Sequence, residues 1–258
     1  MQRFIDAHCH FDFPVFDGRR DEILDEAAGF GLEAIVMPGV APSNWGRIQQ
    51  LAEEDARLWF APGVHPWWVD DVADDVLVRL EGLLAQRHPR CLAIGECGLD
   101  RLRGALEIQE PFFAGQIELA RRHSLPLLIH SVRTHDMVVA LLREKRFSGP
   151  GLLHAFNGSW QQADQLWSRG LFIGVSGAIT YPRARRTREA IQRLPLEALV
   201  LETDAPDMPP AGVAKGQNTP LNLKLIFDQL CKLRPEPSDR IARQIRQNTE
   251  VLFWGARS

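Results

Sequence analysis

Short apolar runs alternate with longer amphipathic stretches along almost the whole chain, and this alternation constrains the fold more than any other feature. The runs are Phe4-Ile5, Ala34-Ile35-Val36-Met37, Leu58-Trp59-Phe60-Ala61, Cys91-Leu92-Ala93-Ile94, Leu127-Leu128-Ile129, Leu152-Leu153, Leu171-Phe172-Ile173-Gly174-Val175 and Leu199-Val200-Leu201. Near-continuous apolar runs suit parallel strands buried on both faces. Between them, residues 20–30, 44–56, 73–87, 106–123, 135–146, 161–169 and 184–193 place apolar side chains at three- and four-residue spacing, as helices with one buried face do. Two further helical stretches, 221–233 and 238–252, follow the last run. Eight strands alternating with helices predict an α/β chain folded as a (β/α)8 TIM barrel. The competing architecture is a doubly wound open sheet, which usually carries a glycine-rich phosphate loop after its first strand. Asp6-Ala7-His8-Cys9-His10 stands there instead. A single domain over residues 1–258 accounts for the length, and the Pro/Gly-rich stretch 206–220 reads as a loop after the eighth strand.

Hydrophobic residues make up 45% of the chain and charged residues 24%, enough apolar material for a large core. The formal net charge is -3, which argues against a surface built to grip long duplex DNA and confines any nucleic-acid contact to a local patch. Cys9, Cys91, Cys97 and Cys231 form no closely spaced framework, so disulfides are not expected. No run approaches the roughly 18 apolar residues of a membrane span. The first residues lack the apolar stretch of a secretory leader. The expected location is the cytoplasm, and no obligate protein partner is indicated.

The residues that carry chemistry stand where the apolar runs stop. His8 and His10 follow the first strand, His65 the third, Glu96 the fourth, His130 the fifth, His154 the sixth and Asp204 the eighth. In a barrel these carboxyl ends converge on one mouth, where the active sites of this fold are found. Side chains alternate along an extended chain, so His8 and His10 point the same way and Cys9 the other, as a small apolar filler. Imidazoles mixed with carboxylates favour zinc, manganese or iron over calcium. Six candidate ligands exceed the needs of one open site, which predicts two divalent ions with Glu96 as the bridging carboxylate. Ions about 3.5–4 Å apart would share and activate a hydroxide. Any one of these histidines alone would be an ordinary structural residue, but their common placement at strand ends makes the set informative. His88, His123 and His135 lie in helical stretches and read as surface or cap residues.

The same residues carry a family resemblance. His8-Cys9-His10, Gly63-Val64-His65-Pro66, Ile94-Gly95-Glu96-Cys97-Gly98-Leu99-Asp100, Ile129-His130-Ser131, His154-Ala155-Phe156-Asn157-Gly158-Ser159 and Glu202-Thr203-Asp204-Ala205-Pro206 together resemble the TatD-type metal-dependent hydrolases, deoxyribonuclease-like members of the amidohydrolase superfamily. The resemblance implies that His8, His10, Glu96 and Asp204 hold one ion, and that Glu96, His130 and His154 hold the other. It makes Asp204 the group that orients or deprotonates the attacking water, with Glu96 beside it in catalysis, and His65 a contact to a substrate phosphate. It implies zinc, or else manganese or magnesium, and a substrate of DNA ends or single-stranded DNA. Four departures fall on the rim: Trp67 stands where a second histidine is common, Arg101-Leu102-Arg103 replaces an aromatic segment, Ala155-Phe156-Asn157 replaces Cys-Phe-Thr/Ser, and Asp207-Met208 follows Pro206 where an aromatic residue is common.

Those departures keep a small phosphate ester open as substrate. An amide- or lactone-cleaving barrel is a further alternative, although such enzymes often bridge their ions through a modified lysine where Glu96 stands here. A non-enzymatic metal protein is a third, and the completeness of the ligand set argues against it. Arg133 is a candidate phosphate clamp, with a plain surface loop residue as the other reading. Arg101 and Arg103 are read in the same two ways. The run Arg183-Ala184-Arg185-Arg186-Thr187-Arg188 reads either as a backbone-tracking patch or as a solvated helix start. Trp67 and Trp68 read either as base-stacking platforms or as a pair packed over the barrel end. Glu202 is expected to face the side of Asp204 and support the site by hydrogen bonding, or to pair with a buried arginine.

Overall fold

The computed structural model describes residues 2–255. Eight parallel strands alternate with helices: β1 (Phe4–Asp6), α1 (Arg20–Gly29), β2 (Leu32–Pro38), α2 (Pro42–Glu54), β3 (Leu58–Ala61), α3 (Val76–Ala85), β4 (Ile94–Asp100), α4 (Leu106–His123), β5 (Leu127–Val132), α5 (His135–Glu144), β6 (Gly151–Leu153), α6 (Trp160–Trp167), β7 (Leu171–Val175), α7 (Arg185–Arg193), β8 (Leu199–Leu201), α8 (Leu223–Leu233) and α9 (Ser238–Trp254). The hydrogen-bonded ladders run β1-β2-β3 and β4-β5-β6-β7-β8. Isolated bonds close the two gaps into a ring. Leu92 N–H donates to Phe60 O at 2.9 Å between β3 and β4, and Ala7 N–H donates to Leu201 O at 3.0 Å between β8 and β1. The architecture is the (β/α)8 barrel.

Alternation along the strands sorts the apolar residues into two layers. Ala7, Val36, Ala61, Ala93, Leu128, Leu152, Phe172 and Val200, drawn from the eight successive strand regions, form one buried cluster that fills the barrel. Their neighbours Ile35, Ile129, Ile173 and Leu199 belong to the larger cluster between strands and helices. Leu252 and Phe253 of α9 join the inner cluster and seal the amino end of the barrel, with Trp59 and Trp254 packed against them. Asn248 of α9 fixes this plug by donating to Leu196 O at 2.8 Å and Leu199 O at 2.7 Å.

The fourth strand differs from its expected extent. It begins at Ile94, where the apolar run ends, and continues to Asp100, so Glu96 lies within the strand rather than after it. β5 likewise runs past His130 to Val132. These strands keep pairing through polar residues because the residues are buried at the mouth, and the β4–β5 register shifts between Ile94 and Cys97. Gly98 is required at this seam: its φ is +141°, and a Cβ there would lie 2.0 Å from His130 O.

Candidate metal centre

The carboxyl ends of β1, β3, β4, β5, β6 and β8 bring His8, His10, His65, Glu96, His130, His154 and Asp204 together, all buried. Glu96 stands at the centre and divides its two oxygens. Its Oε2 lies 3.3 Å from His8 Nε2 and 3.3 Å from His10 Nε2. Its Oε1 lies 2.7 Å from His154 Nε2, 2.8 Å from His130 Nδ1 and 3.2 Å from His65 Nε2. Asp204 Oδ1 approaches His8 Nε2 at 3.4 Å and His10 Nε2 and His154 Nδ1 at 3.8 Å. The rings of His8 and His154 stack in parallel with centroids 4.0 Å apart. Asp204 is aimed by its backbone, which adopts a left-handed φ of 56° and donates its N–H to His8 O at 2.9 Å.

A cluster of this kind fits a metal better than a hydrogen-bonded network. Buried polar atoms are normally paired, yet His8 Nδ1 and Nε2, His10 Nδ1, His154 Nδ1 and Glu96 Oε2 have no hydrogen-bond partner. Three overlapping groups present ligand atoms close enough for a shared ion: His8, His154 and Asp204; His8, His10 and Glu96; and His65, Glu96 and His130. The third admits His65, but its Nδ1 accepts the Trp67 N–H at 3.1 Å. A neutral His65 ring therefore carries its proton on Nε2, so this nitrogen faces the cleft as a donor.

Burial and mutual attraction set the charges within the cluster. Burial opposes ionisation of Glu96, but His154, His65 and His8 outweigh it and hold its carboxyl well below the ordinary range. Burial pushes Asp204 up to about 6, against the pull of His154 and His10. Burial, with help from His154, drives His8 well below the usual imidazole value. For His10 burial also disfavours the charge, yet Glu96 and Asp204 raise it to about 9.

Several supporting groups escaped sequence reasoning. Asp100 Oδ2 accepts the Trp67 indole N–H at 2.6 Å and lies 3.3 Å from His130 Nε2, which leaves His130 Nδ1 turned toward Glu96. This is the carboxylate–histidine arrangement that orients metal-binding imidazoles. Gln109 of α4 donates to Asp100 O at 3.1 Å and accepts Asp100 N–H at 2.7 Å. Gln116 does the same for Val64, accepting its N–H at 2.8 Å and donating to its carbonyl at 3.0 Å. The signal in the sequence is that Gln109 and Gln116 fall on the same helical stripe as Phe113, Ile117 and Ala120. Asp6 accepts from the Thr203 N–H at 2.9 Å and also from its hydroxyl, tying β1 to the Asp204 loop.

Glu202 follows β8 and is fully buried. Its Oε1 accepts the Ala155 N–H, and no arginine pairs with it among the described residues. It lies over Gly174, where a Cβ would come within 2.5 Å of its carboxylate. Cys9 is buried in the core, as its alternation with the two histidines required. Arg133 lines the cleft of about 620 Å³ above the centre, together with His10, His65, His130 and Asp204. Trp67 and Trp68 line it too and stay 48% and 44% exposed, so they do not cover the barrel end as a packed pair. Arg103 stacks its guanidinium on Trp67 at 4.7 Å from the ring centroid. The run 183–188 splits: Arg183 stacks on Tyr181, Arg188 donates inward to Ile179 O at 2.6 Å, and Arg186 faces a neighbouring cleft. His88 lies beyond the end of α3 rather than in a helix, His123 ends α4, and both are half-buried. His135 sits in the first turn of α5 but is buried, with Nδ1 2.7 Å from Ser131 Oγ, so of its two readings, surface or cap residue, the surface one is corrected.

Histidines and carboxylates with unsatisfied atoms, gathered at the carboxyl mouth of a parallel barrel, define a metal-dependent hydrolase. The chain belongs to the TatD related DNase family, whose profile matches residues 5–254. It is 42% identical over 253 residues to the uncharacterized metal-dependent hydrolase YjjV of Escherichia coli K12, covering 97% of this chain and 98% of the relative. The crystal structure of that TatD homolog superposes with a TM-score of 0.93. A 3'-5' ssDNA/RNA exonuclease TatD from Klebsiella pneumoniae is 31% identical over 250 residues, covering 92% of this chain and 93% of the relative. A TatD family hydrolase from Entamoeba histolytica shares the fold at a TM-score of 0.86 and 19% identity. The protein is accordingly a metal-dependent hydrolase that cleaves ester bonds. No helix among the described residues is long and apolar enough to cross a membrane.

Proposed function

We propose that the chain acts as one hydrolase domain that cleaves phosphodiester bonds of single-stranded nucleic acid from an end, using two divalent ions. The division of Glu96 carries this reading: one carboxylate oxygen faces His8 and His10, the other faces His130 and His154. His8, His10, Glu96 and Asp204 hold the first ion, and Glu96, His130 and His154 hold the second. The donor set suits zinc, with manganese or magnesium as functional substitutes. Ions held by these residues would supply Lewis acidity toward a phosphoryl oxygen and toward water at neutral pH. Asp204 takes the proton of the attacking water, since its Oδ1 stands at the edge of both ligand sets. His65 donates from Nε2 to a non-bridging phosphate oxygen, the tautomer its Trp67 contact favours. Arg133 holds the phosphate at the cleft edge. The name of the Klebsiella relative, a 3'-5' ssDNA/RNA exonuclease, supports a single-stranded substrate. The four cysteines are free thiols, which suits the reducing cytoplasm.

Hydrolysis of single-stranded DNA and of bis(p-nitrophenyl) phosphate by metal-stripped protein refilled with zinc, manganese or magnesium tests this, alongside Asp204→Asn and His8→Ala. Metal-restored cleavage of both substrates, absent from folded variants, is expected. Full activity in either variant contradicts the assigned roles, and a protein that holds two ions yet cleaves neither substrate is not a phosphodiesterase.

A further inference from the structure

The cleft above the metal centre continues sideways. A second cleft of about 420 Å³ adjoins it, sharing Arg133 and Asn157. Three guanidinium groups line it: Arg101 after β4, Arg133 after β5 and Arg186 in the first turn of α7. Asp136 is its lone acid. The chain has 33 acidic against 30 basic residues, so three cations around one cavity run against its composition. Among the described residues these arginines have no carboxylate within ion-pair distance. Arg101 instead donates to Arg133 O at 3.2 Å and to Met137 Sδ at 3.1 Å. Unpaired like charges around a concave surface repel one another and raise the local positive potential, which an anion relieves.

The backbone adds to the field. The N-terminus of α5 opens on this cleft through Thr134, His135 and Asp136. Thr134 stands at the cap position but makes no cap bond, because its hydroxyl donates to Leu99 O at 2.9 Å. The first N–H groups of a ten-residue helix thus add partial positive charge to the three side chains.

We propose that this second cleft is a phosphate subsite. It receives a backbone phosphodiester of the single strand adjacent to the one held at the metal centre. The proposal rests on the phosphodiesterase reading above. It adds that the enzyme grips its polymer at two places, with Arg133 lining both. Guanidinium forks match phosphate geometry, and a strand seated with one phosphate over Glu96 leads its neighbours along the shared wall. A diester with no flanking nucleotides occupies the first site alone.

The test uses metal-loaded enzyme and the double variant Arg101→Gln/Arg186→Gln. Neither residue lines the catalytic cleft. kcat/KM is measured at rising salt for a single-stranded octanucleotide and for bis(p-nitrophenyl) phosphate. The expected result is a loss of about tenfold or more on the oligonucleotide, a salt slope shallower by about 1.4, and unchanged turnover of the small diester. Equal oligonucleotide kcat/KM in both proteins, or a matching loss on the small diester, overturns the subsite. Failure of the phosphodiesterase reading looks different, since wild-type enzyme then cleaves no oligonucleotide. Inorganic phosphate titrated into both proteins decides that case. Binding at least about tenfold tighter to wild type keeps the cleft as a phosphate site, and equal affinity removes it.

Discussion

The two ends of the barrel are built from the same eight strands and do opposite things. At the carboxyl end the strands deliver a cluster of buried ionisable side chains, several with atoms that nothing among the described residues satisfies. At the amino end the inner layer closes in apolar contact with Leu252 and Phe253, and Trp59 meets Trp254 edge-on at 5.2 Å. A buried polar atom without a partner costs a fold about 1–3 kcal/mol. The mouth thus costs the fold stability that a bound metal would restore in part, and the closed end is where apolar packing offsets it. The contrast teaches that metal loading and core integrity are separable here, and each can be attacked alone.

Acidification attacks the mouth and has the largest expected effect. Imidazoles must be neutral to ligate. In the metal-free protein burial disfavours charge on His10 and His130, but Glu96 with Asp204, and Asp100 with Glu96, raise them to about 9. A raised value means that protons compete more strongly, so apparent metal affinity weakens as pH falls from about 9, and the ions are lost by about pH 4.5. Metal per chain after dialysis, read against far-ultraviolet circular dichroism, checks this. Full metal content at the acid end contradicts the ligand assignment. Loss of fold in step with loss of metal breaks the separation of the two ends.

Phe253→Ala attacks the other end. Phe253 is fully buried in the inner layer, and deleting such a ring costs roughly 3–5 kcal/mol through lost transfer energy and a cavity. Denaturant unfolding of the variant should show this loss. Metal stoichiometry and turnover per folded molecule should match wild type. A folded variant with impaired turnover would show that the plug shapes the mouth.

The mouth was also the more legible end. An imidazole or carboxylate after an apolar run stands out in a sequence, and the barrel periodicity says where those positions converge. What stayed hidden depends on partners brought in by tertiary structure. Gln116 serves Val64 from 52 positions further along the chain, and Gln109 fixes Asp100 from the next helix. The extent of β4 was missed because Glu96 and Asp100 are polar residues in a buried strand, which breaks the apolar pattern. His135 reads from the sequence as a surface or cap residue at a helix start, and Ser131 from β5 is its partner where it is buried there. The central place of Glu96 among the histidines was expected from strand order, whereas the separate direction of each of its oxygens depends on the three-dimensional arrangement.

Trp67→Phe probes where the mouth ends and the rim begins, and its effect should be the smallest. The indole N–H holds Asp100 Oδ2, and that oxygen faces His130 Nε2. Phenylalanine keeps an aromatic wall for the cleft and removes only the donor. Asp100 Oδ1 still accepts the Leu102 N–H at 2.7 Å, so the carboxylate is loosened rather than freed. Removing a direct partner of a metal-binding histidine typically costs 10–100-fold in affinity or activity, and one step further out the expected loss in metal affinity is about two- to fivefold. Chelator competition measures it, with KM for an oligonucleotide as the companion readout. Weaker metal binding at constant KM assigns the indole to the centre. Unchanged metal affinity with a raised KM assigns it to the substrate, which would mean that His130 is held by Asp100 alone and that the polar end of the barrel is sharper than the hydrogen bonds suggest.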